Sequence, residues 1–174
     1  MPAQIPRFAA MLALMTIPAA GLAQEKSVSD FGGLDGPYLY EAHARANSLT
    51  IADLNGDGYR DIAAVSNDEG VLRLLVQQKG MEPGERFELE EVLLDRIVRD
   101  IAPADVDGDG RLDLIVAGSP SSLAVMYQSG EGRLQKAKDY EIDADRVVLG
   151  DTNGDGRDDL LITNGRKLSI FPAE

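Results

Sequence analysis

A nine-residue segment rich in aspartate and glycine occurs three times along the chain. The copies read DLNGDGYRD at 53–61, DVDGDGRLD at 105–113 and DTNGDGRDD at 151–159. One copy would be an ordinary surface turn, since Asp, Asn and Gly are common turn residues. Three copies with one internal order require a shared cause, and they begin 52 and 46 residues apart. Such periods are typical of propeller blades built from short strands.

The residues between the copies predict strands. After the first copy come DIAAVS, VLRLLVQQ and FELEEVLL, and the second copy is followed by runs in the same order. Short apolar runs bounded by turn residues are typical of β-strands. The chain is therefore predicted to be all-β and of β-propeller type, with about three four-stranded blades at 46–94, 97–142 and 146–171.

An outermost strand for the third blade is not found after LSIF, the last apolar run of the sequence. The segment GPYLYEAHA, residues 36–44, lies just ahead of the first blade, where outer strands lie ahead of the second and third. We predict that this segment is an outer strand that completes the last blade, in the same chain or in a neighbouring one.

The spacing of side-chain oxygens in the three copies predicts calcium sites. Calcium takes six to eight oxygen ligands, and a loop can supply them from side chains at positions 1, 3 and 5 and a backbone carbonyl at position 7. An EF-hand also needs a Glu at position 12, where this chain has Ala64, Val116 and Ile162. We therefore expect an Asp at position 9 to close each site. The predicted ligands are Asp53, Asn55, Asp57, Tyr59 and Asp61; Asp105, Asp107, Asp109, Arg111 and Asp113; and Asp151, Asn153, Asp155, Arg157 and Asp159.

Other interpretations of the loops are weaker. Turns without an ion would leave facing carboxylates to repel each other. Magnesium demands a small octahedron and keeps its waters, so calcium is the expected ion, at up to three sites and in a structural role. A dockerin-like module would place helices after shorter repeats. At positions 1, 3, 5 and 9 the second loop has four carboxylates where the others have three and an Asn, so it is predicted to bind most tightly.

The N-terminal residues resemble a bacterial signal peptide. Arg7 precedes the apolar run FAAMLALMTIPAA, and Gly21-Leu22-Ala23 supplies small residues before a cleavage site. We predict a signal peptide at 1–23, a linker at 24–35 and a repeat domain at 36–174, in a secreted or periplasmic protein that does not insert into the membrane after cleavage. The alternative is an uncleaved N-terminal anchor.

Charge and composition exclude several classes of partner and site. The formal net charge is −13, from 30 acidic and 17 basic residues, which argues against nucleic acid because phosphate binding needs clustered Lys and Arg. Ten of the acids are predicted ligands in the three loops. The chain has no cysteine, so disulfides and thiolate metal sites are excluded.

The three loops, D-x-[DN]-G-D-G-x-x-D, each leading into an apolar strand such as DIAAV, DLIVA or DLLIT, resemble FG-GAP repeats, also called VCBS repeats. The resemblance covers roughly residues 36–171. It implies a β-propeller with calcium in the loops between the two innermost strands of each blade, used mostly for binding. Propellers of this family usually have about seven blades. We therefore expect a homodimer that closes a ring, with a three-blade monomer or docking on another secreted protein as alternatives.

The predicted function is a secreted calcium-binding module for protein or glycan binding and adhesion, without catalytic activity. Recognition tends to use loops held by rigid strands, here at 67–70, 79–86, 119–122 and 129–133. The alternative is an accessory or catalytic domain of a secreted carbohydrate-active or other hydrolytic enzyme. The single histidine, His43, carries no catalytic pattern with it.

Overall fold

The computed structural model describes residues 39–40, 46–82, 85–119, 122–135 and 137–173. These residues all belong to one compact unit, Tyr38–Glu174. The predicted signal peptide at 1–23, the linker at 24–35 and His43 lie outside the described residues, so those assignments stay predictions. The described part of the chain contains no helix long and apolar enough to cross a membrane.

The described residues form eleven β-strands in three antiparallel sheets. The first sheet has the order β1-β2-β3-β4, the second β5-β6-β7-β8, and the third β11-β10-β9. The strands are β1 (Ala46–Ala52), β2 (Asp61–Ser66), β3 (Val71–Gln77), β4 (Phe87–Leu93), β5 (Ile97–Ala104), β6 (Asp113–Ser119), β7 (Ser122–Met126), β8 (Lys138–Tyr140), β9 (Arg146–Gly150), β10 (Asp159–Thr163) and β11 (Leu168–Phe171).

The burial of the second strand in a sheet follows from the pattern of apolar residues in its sequence. Strand β6, DLIVAGS, is buried along almost its whole length because neighbouring sheets cover both of its faces. A continuous apolar run is what such a strand requires. Strand β10, DLLIT, has buried residues separated by half-buried ones, as expected for a strand covered on one face.

Two apolar clusters hold the sheets together. One lies between the first and second sheets and includes Ala63, Leu72, Leu74, Leu114, Val116 and Met126. The other lies between the second and third sheets and includes Ile115, Leu123, Val125, Ala144, Val147 and Ile162. The innermost strands β1, β5 and β9 also contact each other in that order. The sheets are therefore stacked face to face, as blades are, with the second sheet in the middle.

The predicted fold class is confirmed: the chain is all-β, with blade-like sheets and no closed barrel among the described residues. The predicted outer strand at 36–44 lies outside the described residues except for Leu39 and Tyr40, which are not in a strand. The Tyr40 ring contacts Phe87 of β4 edge-on, with ring centroids 5.3 Å apart. This described part therefore contacts the first sheet, and the third sheet has three described strands.

Candidate metal loops

Each acidic loop joins the first two strands of its sheet. The loops connect β1 to β2, β5 to β6 and β9 to β10. Both glycines of each loop have positive φ, with values of 78° and 86° at Gly56 and Gly58. Each loop therefore bends sharply at two positions. Left-handed backbone at two positions is what turns the nine residues around a centre.

The side chains at positions 1, 3 and 5 are tied to the loop backbone in the same way in all three copies. In the first loop, Asp53 accepts hydrogen bonds from the N–H groups of Gly56 (2.7 Å) and Gly58 (2.9 Å). Asn55 Oδ1 accepts from the Asp57 N–H at 3.0 Å, and Asp57 Oδ1 accepts from the Tyr59 N–H at 2.8 Å. The other two loops repeat these four kinds of bond. Hydrogen bonds from the loop backbone therefore orient these side chains without a bound ion.

The second loop brings three carboxylates together. Ligand oxygens of Asp105, Asp107 and Asp109 all lie within 4.8 Å of one another, and the three residues are exposed. Hard oxygen donors at this spacing fit calcium, which binds oxygens at about 2.3–2.6 Å. In the first loop, Asn55 replaces the middle carboxylate and its amide donates to Asp57 at 3.1 Å. The donor set therefore fits a divalent cation best in the second loop.

The arginines at position 7 of the second and third loops bind the acidic side chains of their own loops. If only the carbonyl at position 7 binds the ion, as the spacing predicts, the arginine side chain is expected to point away from the loop. Instead, Arg111 donates to Asp109 Oδ2, and Arg157 donates to Asp155 Oδ2 at 3.3 Å. A guanidinium beside a carboxylate offsets the repulsion within an acidic cluster. The expectation about these two side chains was therefore wrong.

The aspartate at position 9 is buried in every loop and holds parts of the sheet together. Asp61 accepts hydrogen bonds from the N–H groups of Leu54 (3.0 Å) and Gln77 (2.9 Å). Asp113 accepts equivalent hydrogen bonds from the N–H groups of Val106 and Gln128. Asp159 accepts them from the N–H groups of Thr152 and Ala173. Each carboxylate thus joins the start of its loop to the end of the third strand of the sheet.

The pKa values of these buried aspartates depend on their partners. Burial raises the pKa of Asp61 and of Asp113 above the usual carboxyl range, more strongly than their backbone hydrogen bonds lower it. A hydrogen bond from the Thr152 hydroxyl lowers the pKa of Asp159, and the Ala173 N–H acts in the same direction. Sequence spacing suggested a ligand at position 9 but gave no sign of this structural role.

The first loop also contacts the second sheet, through residues that sequence analysis missed. The Gln128 side chain is buried and donates from Nε2 to the Asp53 carbonyl at 3.3 Å. A Cβ placed on Gly132 would lie 2.7 Å from the carbonyl oxygen of Asn55. The turn at 129–133, which the sequence suggested as a free contact loop, therefore packs against the first acidic loop.

The turn at 67–70, which belongs to the first sheet, forms hydrogen bonds with the second sheet. The Asn67 side chain accepts from the Val98 N–H at 2.8 Å and donates to the Val98 carbonyl at 2.7 Å. Residues 79–82 of the connection at 79–86 are exposed, whereas part of the turn at 119–122 lies outside the described residues. Of the suggested contact loops, 79–86 is thus the one whose described residues are most accessible.

Stacked antiparallel sheets with an acidic loop after each first strand define a class of protein, that of blade-like β-repeat proteins. Comparison with known families gives the same result, because a model described as FG-GAP-like repeat matches residues 53–116 and 105–162. The matches span more than half of the chain, and the protein belongs to this family. No curated protein matches the chain. The family suggests a β-propeller-like binding or adhesion module, is typically non-catalytic, and often binds calcium.

Proposed function

We propose that this protein is a secreted or periplasmic binding module whose three acidic loops bind calcium. The observation that carries the proposal is the cluster formed by Asp105, Asp107 and Asp109, built on a loop that recurs at the same place in all three sheets. Membership of a family that often binds calcium supports it. The ligands are the side chains at positions 1, 3, 5 and 9 and the carbonyl at position 7 of each loop.

Calcium has a structural role in this proposal. A bound cation neutralises carboxylates that otherwise repel each other, and its ligands come from one short segment. The second loop lines a cavity together with residues of the third sheet, and the first loop packs beside the Gln128 side chain and Gly132. Ordering a loop therefore also orders the surface between two sheets, which keeps the exposed turns in place for a partner.

The partner is a protein or a glycan, and its contact surface includes the connection at 79–86. Residues 79–82 are exposed, and the side chain of Met81 is 48% accessible. Two of the other turns are occupied by contacts between sheets, as described above. Secretion is supported by the N-terminal sequence and by the high calcium concentration outside the cytoplasm, which suits loops of modest affinity.

Calcium titration of chelator-treated protein tests the metal part of this proposal. Calorimetry should show binding of up to three ions, with magnesium at the same concentration giving a much weaker signal. A flat calcium titration would contradict the proposal. Protein sequencing of the secreted form should give an N-terminus at Gln24.

Glycan and surface-protein arrays test the binding part. Labelled protein should bind a specific set of ligands in calcium and lose them in chelator, and substitution of Met81 by Glu should weaken that binding. Calcium-dependent turnover of glycan or ester substrates would instead support the hydrolytic alternative.

A further inference from the structure

The three sheets stack by repeating one interface twice. Each sheet has a leading face, which packs on the sheet before it, and a trailing face, which packs on the sheet after it. The first interface joins the trailing face of the first sheet (Ala63, Val65, Leu72 and Leu74) to the leading face of the second (Ile101, Leu114, Val116 and Met126). The second interface joins the trailing face of the second sheet (Ile115, Ala117, Leu123 and Val125) to the leading face of the third (Val147, Leu149, Leu160 and Ile162).

Two faces are not used in this stacking: the leading face of the first sheet and the trailing face of the third. Strand pairing identifies the residues on them that correspond to the interface residues of the other sheets. Leu49 pairs with Ala64, as Ile101 pairs with Val116 in the second sheet. Leu161 pairs with Ile170, as Ile115 pairs with Val125. The leading face of the first sheet thus includes Leu49, Ile51, Ile62 and Leu75, and the trailing face of the third sheet includes Val148, Leu161, Leu168 and Ile170. The leading face also carries Arg73, Glu91 and Phe87, the last of which Tyr40 contacts.

Both of these faces carry exposed aliphatic side chains, and on the leading face they lie beside the buried Arg73, which is paired with Glu69 and Glu91. Leu49 and Ile51 are 63% and 54% exposed, and Val148 and Ile170 are 59% and 48% exposed. The described strands of the first and third sheets make no substantial contact with each other. The two faces therefore lie at opposite ends of the stack, and each carries the aliphatic residues that its equivalents bury inside the molecule. Exposed apolar surface of this kind marks an interaction site.

We propose that these two faces bind each other between two copies of the chain. The trailing face of the third sheet of one copy packs on the leading face of the first sheet of the other, continuing the interface that already occurs twice within each chain. Both contacts form together when two copies are related by a two-fold axis. Two copies supply six sheets, which lies within the range of about 4–8 blades for closed propellers, whereas three copies would supply nine. This proposal does not depend on calcium binding.

Analytical ultracentrifugation of the purified protein and of two variants tests this arrangement. The wild-type protein should sediment at twice the mass of its single chain. Ile51→Glu places a charge on the leading face and Ile170→Glu places one on the trailing face, and each variant alone should sediment at the mass of one chain. Both side chains are about half exposed, so circular dichroism should show unchanged folding. Leu49→Glu and Val148→Glu are second variants of the same faces, and Met81→Glu is the control that should leave the mass doubled.

Mixing the two variants distinguishes head-to-tail pairing from other arrangements. The Ile51→Glu chain keeps its trailing face and the Ile170→Glu chain keeps its leading face, so an equimolar mixture should recover two-chain species that neither forms alone. If the mixture forms no two-chain species at any concentration, the proposal is overturned. A wild-type protein that sediments as a single chain would also overturn it, and this result is expected if residues before 46 cover the leading face. A dimer that only one of the two substitutions disrupts would overturn it as well.

Discussion

The second loop differs from the other two by one carboxylate in place of an amide. Asp107 lies where the first loop has Asn55 and the third has Asn153. Calcium loops are tuned by the number of charged ligands, so Asp107→Asn should weaken calcium binding at that loop by roughly tenfold. Asn153→Asp should strengthen the third loop by a similar factor. Calorimetry of both variants checks this, and unchanged affinities in the pair would show that carboxylate count does not set affinity here.

The Asp113 carboxylate holds two backbone N–H groups that are far apart in sequence. It is buried and accepts from Val106 at 3.0 Å and from Gln128 at 2.9 Å. Asp113→Ala leaves these donors without their acceptor, and each such loss costs about 1–3 kcal/mol. Unfolding by urea in chelator should therefore show a loss of about 2–5 kcal/mol. Chelator matters because it separates this structural role from calcium binding.

A matched variant at a neighbouring position controls this experiment. Asp107→Ala removes an exposed carboxylate from the same loop and should change stability in chelator by less than about 1 kcal/mol. If both variants had the same stability, the carboxylate at position 9 would have no special role in holding the sheet together.

At the scale of loops and strands, Gly132 allows two sheets to approach each other. It has a φ of 74°, and an added Cβ would lie 2.7 Å from the Asn55 carbonyl oxygen in the first acidic loop. Gly132→Ala should destabilise the protein by about 1–3 kcal/mol, since both the backbone conformation and the contact are unfavourable for alanine. Gly130 lies in the same turn and has no atom within 4 Å of such a Cβ. Gly130→Ala should therefore leave the thermal midpoint nearly unchanged, and equal losses in the two variants would contradict the contact.

Asp100 of β5 connects the innermost strands of all three sheets. Its Oδ1 accepts from the Ser48 hydroxyl at 3.1 Å, and its Oδ2 accepts from the Val147 N–H at 3.2 Å. Asp100→Ala removes both bonds and should cost about 2–4 kcal/mol of unfolding free energy, whereas Ser48→Ala removes one and should cost about 1 kcal/mol. Denaturant unfolding measures both. A larger loss in Ser48→Ala than in Asp100→Ala would exclude this bridging role.

The sequence predicted the strands well because their signals are local. The run DLIVA is apolar along its length and directly follows an acidic loop, and both features depend on residues close in the chain. The contact between Gly132 and Asn55 joins residues of different sheets, and no local pattern indicates it. The turn at 129–133 therefore looked like free surface. The buried role of Asp61 was missed for the same reason, since its partner Gln77 lies on the third strand of the sheet.

At the scale of the molecule, the three loops concentrate negative charge at equivalent places of three stacked sheets. Eleven of the 30 acidic residues lie in these loops, and the formal net charge is −13. The arginines at position 7 of the second and third loops offset part of this charge, while the first loop has Tyr59 at that position. Repulsion among acids in the same sheet stack opposes folding, so the stability of the whole protein should depend on cations.

Calcium is therefore expected to raise the thermal stability of the protein. An ion that binds only the folded state adds about 2.7 kcal/mol per site when its concentration is 100 times the dissociation constant. For a chain of this size, one saturated loop should raise the unfolding midpoint by about 5–10 °C. Scanning calorimetry in millimolar calcium and in chelator at matched ionic strength measures this shift, and magnesium is the control for charge screening. Removing one carboxylate from each loop, as in the triple variant Asp57→Asn, Asp109→Asn and Asp155→Asn, should abolish most of the shift. An equal shift with magnesium, or one that survives in the triple variant, would mean that cations act by screening the surface and not by binding the loops.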